Sequence, residues 1–301
     1  MLKLLERRYY KKGGSTKYYM NCNNYSSPEN ARKLIISDVL VYKQDTGVLE
    51  AVATDETIRK KNKHIVIKIG PEGKTVEQEY QIGQLLYEAK LPGFIKFICK
   101  FSCLDNTDGS KKIQTICSAT DDIVKNRRDV LIMPYIQEGS IKRGIWTEEK
   151  IPLLKTLLIQ TLVAVCIAYM NIGFIHNDLH LDNILYKKTK KEYFYDGIPS
   201  NGYKVVIMDF EGSMVHVDRK RGAEFYWQSI RNFISRVNTD LYSDKNGGTL
   251  VLDNITEILK YIDSYPEPNE INHIINLIIN SKFRLLKKPS MESMKYDPNV
   301  F

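Results

Sequence analysis

Apolar positions change their spacing about halfway along the chain, and that change predicts two regions of different build. In the first half they come in short runs: Leu34 to Val41, Val48 to Ala53 and His64 to Ile69. Runs of four to eight residues rich in β-branched side chains read as strands. Phe94 to Phe101 and Val130 to Ile136 are two further strand candidates, separated by a polar stretch. Between the third and fourth runs, Val76 to Ala89 carries Val76, Ile82, Leu85 and Leu86 at helical spacing,. The second half is mainly helical. Ile151 to Ile172 is an apolar helix, and Phe225 to Val237 places Tyr226, Ile230, Phe233, Ile234 and Val237 on one face,. Leu252 to Ile262 and Ile271 to Ile279 repeat the period, while Ile184 to Tyr186 and Lys204 to Met208 are short strand candidates. The expected organisation is a basic, tyrosine-rich extension over 1–33, a small strand-rich lobe with one helix over 34–135, and a larger helical lobe over 136–301.

Composition narrows the class. The chain has 301 residues, 43% hydrophobic and 27% charged, so it can bury a large core and is not a disordered acidic or basic tail,. Its net charge of +8 is concentrated in Arg7–Lys12, Arg59–Lys63, Lys187–Lys191 and Arg219–Arg221. No aromatic or glycine pattern accompanies these clusters, so they read as solvated loops and a nucleic-acid partner is not expected. The five cysteines are odd in number and show no C-x-x-C pair. That argues against a zinc site or a disulfide scaffold and favours a reducing, cytoplasmic compartment. Thr156 to Ile175 is free of charge over a membrane-spanning length,. Gln160, Thr161 and Asn171 interrupt it and a polar motif follows at once, so it is expected to be a buried core helix rather than a transmembrane segment.

The chemistry is concentrated in His176-Asn-Asp178-Leu-His180-Leu-Asp-Asn183, followed by Val205-Val-Ile-Met-Asp209-Phe-Glu211. Phosphoryl transfer from a nucleotide requires a carboxylate to take the acceptor's proton, oxygen ligands to hold Mg²⁺, and a lysine to meet the phosphates. Asp178, Asn183 and Asp209 are side chains of the first two kinds.

These segments closely resemble the protein-kinase-like superfamily, whose catalytic loop reads H-R-D-L-x-x-x-N and whose metal loop reads D-F-G. The resemblance covers roughly residues 34 to 240. It implies an α+β bilobal fold, with a small antiparallel-sheet N-lobe bearing one helix and a larger, mostly helical C-lobe. It also implies ATP and Mg²⁺ as cofactors, with Mn²⁺ as an alternative. By residue, it implies Asp178 as catalytic base, Asn183 and Asp209 as metal ligands, and His176 as the brace of the loop. Val66-Ile-Lys68-Ile resembles the V-A-I-K strand, so Lys68 is the expected phosphate-binding lysine. Glu79 is its expected partner, with Glu77 and Glu88 as rivals. Leu131 to Ile136 resembles the interlobe hinge, with Met133 and Tyr135 beside the nucleotide.

Departures from the pattern are equally specific. Asn177 stands where the loop arginine is usual, His180 where a lysine approaches the transferred phosphate, and Glu211 where D-F-G has glycine. Gly47 is the one candidate for a glycine-rich loop, and Gln228 is near the usual position of an anchoring aspartate. The segment from Asp209 to Tyr226 is about half the usual length. His180 is expected to donate to the phosphate in place of the lysine. H-N-D-L-H-x-x-N with D-F-E also resembles choline and aminoglycoside kinases, but Asp178 stands only 45 positions after Met133, close to the protein-kinase interval. The expectation is therefore an atypical serine/threonine protein kinase acting on a protein substrate, similar to kinases of large cytoplasmic DNA viruses, and acting in the host cytoplasm or the virion. A small-molecule kinase, or a catalytically silent kinase fold serving as scaffold or virion component, are the alternatives.

Overall fold

The computed structural model describes residues 34–43, 46–53, 64–73, 75–104, 127–195, 197–243 and 248–287. The expected extension over 1–33 lies outside them. The chain is mixed α+β and divides into two units, one comprising residues 1–137 and 208–215, the other 138–207 and 216–301.

The first unit is built on a five-stranded antiparallel sheet in the order β1-β2-β3-β5-β4. Its strands are β1 (Leu34–Lys43), β2 (Thr46–Ala53), β3 (His64–Pro71), β4 (Cys99–Leu104) and β5 (Arg127–Pro134). Alternation along these strands separates two faces. Leu49, Ala51, Ile65, Ile67, Ile69, Phe101, Val130 and Ile132 line one, and all are buried. The other face carries a row set by the register, with Val48 opposite Lys68, Lys68 opposite Leu131, and Leu131 opposite Lys100. Helix α1 (Thr75–Glu88) contacts β3 and β5.

Phe94 to Ile98 was expected to extend β4, but the strand starts at Cys99. The Phe94 and Phe97 rings instead pack on Phe210, with centroids 6.1 and 5.8 Å away. An apolar run that serves a ring cluster need not alternate like a strand. Cys99 and Cys103 are each disulfide-bonded, which the cysteine spacing did not suggest, while Cys166 is free and buried. Four residues apart on one strand, Cys99 and Cys103 are too distant to be each other's partners,.

The second unit is centred on helix α2 (Ile151–Ile172), most of which is buried. It is the one helix among the described residues long and apolar enough to cross a membrane, and 67% of its apolar window is buried within the protein. Pro152 stands in its first turn and Gly173 ends it in the left-handed conformation, with φ 72°,. Glycine is required there twice over, since a Cβ would lie 2.0 Å from the His216 carbonyl oxygen. The polar side chains inside α2 are satisfied: Gln160 donates to the carbonyls of Pro199 and Tyr203 and accepts from the Val205 amide. That contact joins α2 to a two-stranded sheet of β6 (Ile184–Lys188) and β7 (Tyr203–Ile207).

Helix α3 (Arg219–Asp240) starts at an Asp218 cap that accepts from the amides of Lys220 and Arg221,. Its buried face is Tyr226, Trp227, Ile230, Phe233, Ile234 and Val237, as the apolar spacing predicts. Strands β8 (Tyr242–Ser243) and β9 (Gly248–Leu252), helices α4 (Ile255–Asp263) and α5 (Ile271–Asn280), and strand β10 (Phe283–Lys287) complete the unit. The sheet β8-β9-β10 replaces the start of the helix expected from Leu252. Leu250 and Leu252 are buried and Val251 half-buried, the alternation of a strand.

Candidate functional site

Two clusters of polar side chains contain the residues singled out by the sequence, one in each unit. In the first unit, β3 turns Lys68 toward α1, where its Nζ lies 2.7 Å from Glu79 Oε2. The same ammonium lies 2.8 Å from Asp209 Oδ1 and 3.3 Å from Glu211 Oε2. An ammonium has three protons, so these carboxylates account for all of them. Lys68 is 8% exposed and Glu79 is 1% exposed. Burial disfavours the Lys68 charge, but Glu79 and Asp209 outweigh it and hold the ammonium above its ordinary range. Burial raises the Glu79 carboxyl; Lys68 opposes that rise and Asp209 adds to it, leaving the group above its usual value,.

The second oxygen of Glu79 is also engaged, since the Phe210 amide donates to Oε1 at 3.3 Å. Asp209 itself is left-handed, with φ 65°, a conformation an aspartate tolerates better than most side chains,. The Asp209 and Glu211 side chains remain 38% and 43% exposed, so each carboxylate still presents an edge to solvent. Of the three glutamates in contention for Lys68, the geometry assigns Glu79. Glu77 instead pairs with Lys100, and Glu88 is exposed. Met133 is buried in β5 opposite Val66, and the Tyr135 amide donates to the His64 carbonyl at 3.3 Å. Gly47 stands inside β2, paired with Tyr42 and Ile69, as a strand residue.

In the second unit, the loop after α2 carries Asp178, His180 and Asn183. The Asp178 amide donates to the His176 carbonyl at 2.7 Å, and the Asn183 amide to the His180 carbonyl at 2.9 Å. The Asn183 side chain donates through Nδ2 to the Asp178 carbonyl at 3.1 Å, a bond in which Oδ1 takes no part. His176 is 2% exposed and its ring meets Phe174 edge-on. Asn177 takes the left-handed conformation, with φ 57°. Its residue type thus has a backbone reason, since asparagine is among the side chains that best accept this geometry. Asp178 points outward and pairs with Arg236, whose Nη1 lies 2.9 Å from Oδ1. His180 Nε2 is 3.6 Å from Asp178 Oδ2, beyond hydrogen-bond reach,. Gln228 is exposed and donates to Asn232 within α3.

Sequence reading missed Arg236, a charged residue on an amphipathic helix with nothing in its spacing to mark it. It also missed Lys100, because pairing across the sheet decides which lysine meets which glutamate. Among the described residues, no group of three or more His, Cys, Asp or Glu side chains is arranged to hold a metal ion.

No family model matches the chain. Over a match 69 positions long that covers 19% of this chain, the sequence is 35% identical to "Uncharacterized protein 098R" of Invertebrate iridescent virus 6. The match spans 12% of that protein's length.

Proposed function

We propose that the chain is an ATP- and Mg²⁺-dependent phosphotransferase with the bilobal protein-kinase-like fold, transferring the γ-phosphate to a protein hydroxyl. The observation that carries this reading is the buried Lys68, hydrogen-bonded at once to Glu79 on α1 and to Asp209 ahead of Phe210. A lysine held by one buried carboxylate, next to a second that is still partly exposed, suits the grip on a nucleotide's phosphates and metal.

The chemistry would run as follows. Asp178 accepts the proton of the acceptor hydroxyl, the freed oxygen attacks the γ-phosphorus, and the bond to the β-phosphate oxygen breaks to release ADP. Asp209 and Asn183 would hold Mg²⁺, which neutralises charge on the phosphates. Their donor types fit it, being a carboxylate oxygen and the Asn183 Oδ1 left over from its hydrogen bond,. Few protein ligands are needed, since Mg²⁺ keeps water and phosphate oxygens around it. The partial likeness to an iridescent-virus protein agrees with a viral source.

One observation favours a second reading, a catalytically silent scaffold. All three Lys68 donors are occupied, so a phosphate must displace a carboxylate, with Glu211 the most weakly held at 3.3 Å. Radiolabelled ATP offered with generic protein acceptors, aminoglycosides and choline separates the possibilities. Label on protein is expected, and Asp178→Asn should remove it while nucleotide binding persists. Label on a small cation alone points to a small-molecule kinase, and no transfer at all to a scaffold.

A further inference from the structure

The catalytic loop of the second unit is fastened to α3 at two points. Arg236 Nη1 donates to Asp178 Oδ1 at 2.9 Å. One turn further along α3, Asp240 Oδ1 lies 3.8 Å from Lys142 Nζ, which also pairs with Asp182 Oδ2 of the loop at 3.0 Å. The residue at 180 is a histidine whose ring nitrogen falls short of hydrogen-bond distance to Asp178. Arginine, by contrast, is charged at every working pH and presents its donors in a rigid plane.

Resting on the phosphotransfer reading, we propose that Arg236 is the positioning residue of the catalytic base. It holds Oδ1 of Asp178 and thereby leaves Oδ2 as the oxygen that accepts the proton. The fixed cation of this loop then comes from α3, about sixty residues along the chain, rather than from position 180. Buried residues of α3 on either side of it, Phe233 and Val237, set the helix rotation that aims Arg236 at the loop. The Lys142 bridge keeps the loop from sliding along the helix.

The test compares wild type with Arg236→Ala and Arg236→Lys in the radiolabelled-ATP assay, with and without added guanidinium ions. Both side chains of the pair are about half exposed, so the variants should fold. Arg236→Ala should lower kcat by about ten- to a hundredfold, the scale expected when a reacting group loses its orientation. The KM for ATP should stay within about twofold, because a residue that only orients the base leaves nucleotide binding alone. Arg236→Lys should regain part of the rate, and guanidinium should partly restore Arg236→Ala but not Asp178→Asn. An alanine variant as active as wild type, or more active, overturns the proposal, the latter by making the contact a latch. A loss that neither lysine nor guanidinium relieves also overturns it, since Arg236 would then serve the fold alone. Wild type that transfers no phosphate to any acceptor fails the phosphotransfer reading itself and takes the inference with it. An active wild type indifferent to Arg236 fails only the inference.

Discussion

Helix α1 is bound to its sheet by two lysine–glutamate pairs that differ in everything except their chemistry. Lys100 on β4 pairs with Glu77, and Lys68 on β3 pairs with Glu79. The two lysines flank Leu131 in the same cross-strand row. Around Lys100 the polar atoms are consumed locally. Asp129, 1% exposed, lies 3.4 Å from Lys100, accepts from Ser102 and from the Gly73 amide, and has nothing left to offer a ligand. Around Lys68 the balance is different, because three carboxylates meet one ammonium and two of them remain partly exposed. A closed network of this kind fixes a helix. A network with excess charge and an exposed edge can also exchange partners, which is what a binding site needs.

The sharpest way to break the comparison is to remove each lysine in turn. Lys68→Met should cut phosphate transfer by about a hundredfold or more, the loss expected when one preorganised positive group is removed. It should also destabilise the fold by about 3–5 kcal/mol, because the buried Glu79 loses its cation and keeps only the Phe210 amide,. Lys100→Met should leave the rate within about threefold and cost about 1–2 kcal/mol, since Asp129 keeps its other two donors. Transfer assays and urea unfolding measure both, and equal losses of activity would erase the distinction.

The acid side of the stability profile sharpens it further. Glu79 is raised above its ordinary 4.5, chiefly by burial, so the folded chain holds this proton more tightly than the unfolded one,. That contribution is full below pH 4.5 and is lost as pH rises through the folded value. Wild type should therefore lose stability relative to Glu79→Gln as pH rises above 4.5 in unfolding measurements; a gain would reverse the assignment,. Lys100 has its own window on the alkaline side. Burial lowers it, but Glu77 and Asp129 outweigh that and raise it above 10.5. The gap between wild type and Lys100→Met should hold to pH 10 and shrink beyond 10.5.

The smallest expected effect is at Glu211. Replacing it with glutamine removes a negative charge from the longest of the three Lys68 contacts, so Mg·ATP should bind about two- to fivefold tighter by titration calorimetry, within the range for a partly exposed pair. Weaker binding would mean that Glu211 holds the metal rather than covering the lysine.

Much of this was legible from local pattern. Helix α2 was located to the residue because its apolar run is long, starts at Pro152 and stops at Gly173. Strands β2 and β3 and helix α1 were visible for similar reasons, and the loop residues 176–183 and 209–211 drew attention by their order and type. What escaped depends on residues far apart in the chain. Phe94 and Phe97 looked like strand positions until Phe210, more than a hundred residues later, accounted for their rings. Leu252 looked like the start of a helix because its strand partner, Phe283, lies beyond α5. The choice between Glu77 and Glu79 depends on which face of α1 meets which strand, and periodicity alone leaves that open. Arg236 acquires meaning only where α3 meets the loop.

One assignment of chain to unit bears on the order in which the protein is made. Residues 208–215 belong with the first unit, although everything from 138 to 207 belongs to the second. The sheet and α1 are complete once β5 has been synthesised, but the amide that satisfies Glu79, the ring that fills the space beside Phe94 and Phe97, and two of the carboxylates around Lys68 all arrive more than seventy residues later. Until then Lys68 and Glu79 have only each other, and the aromatic cluster lacks its third ring. A chain that ends after Pro134 therefore lacks the Phe210 ring and two of the carboxylates around Lys68. The capacity for phosphate chemistry that we propose would then appear late in synthesis, when residues 209–211 return to the first unit.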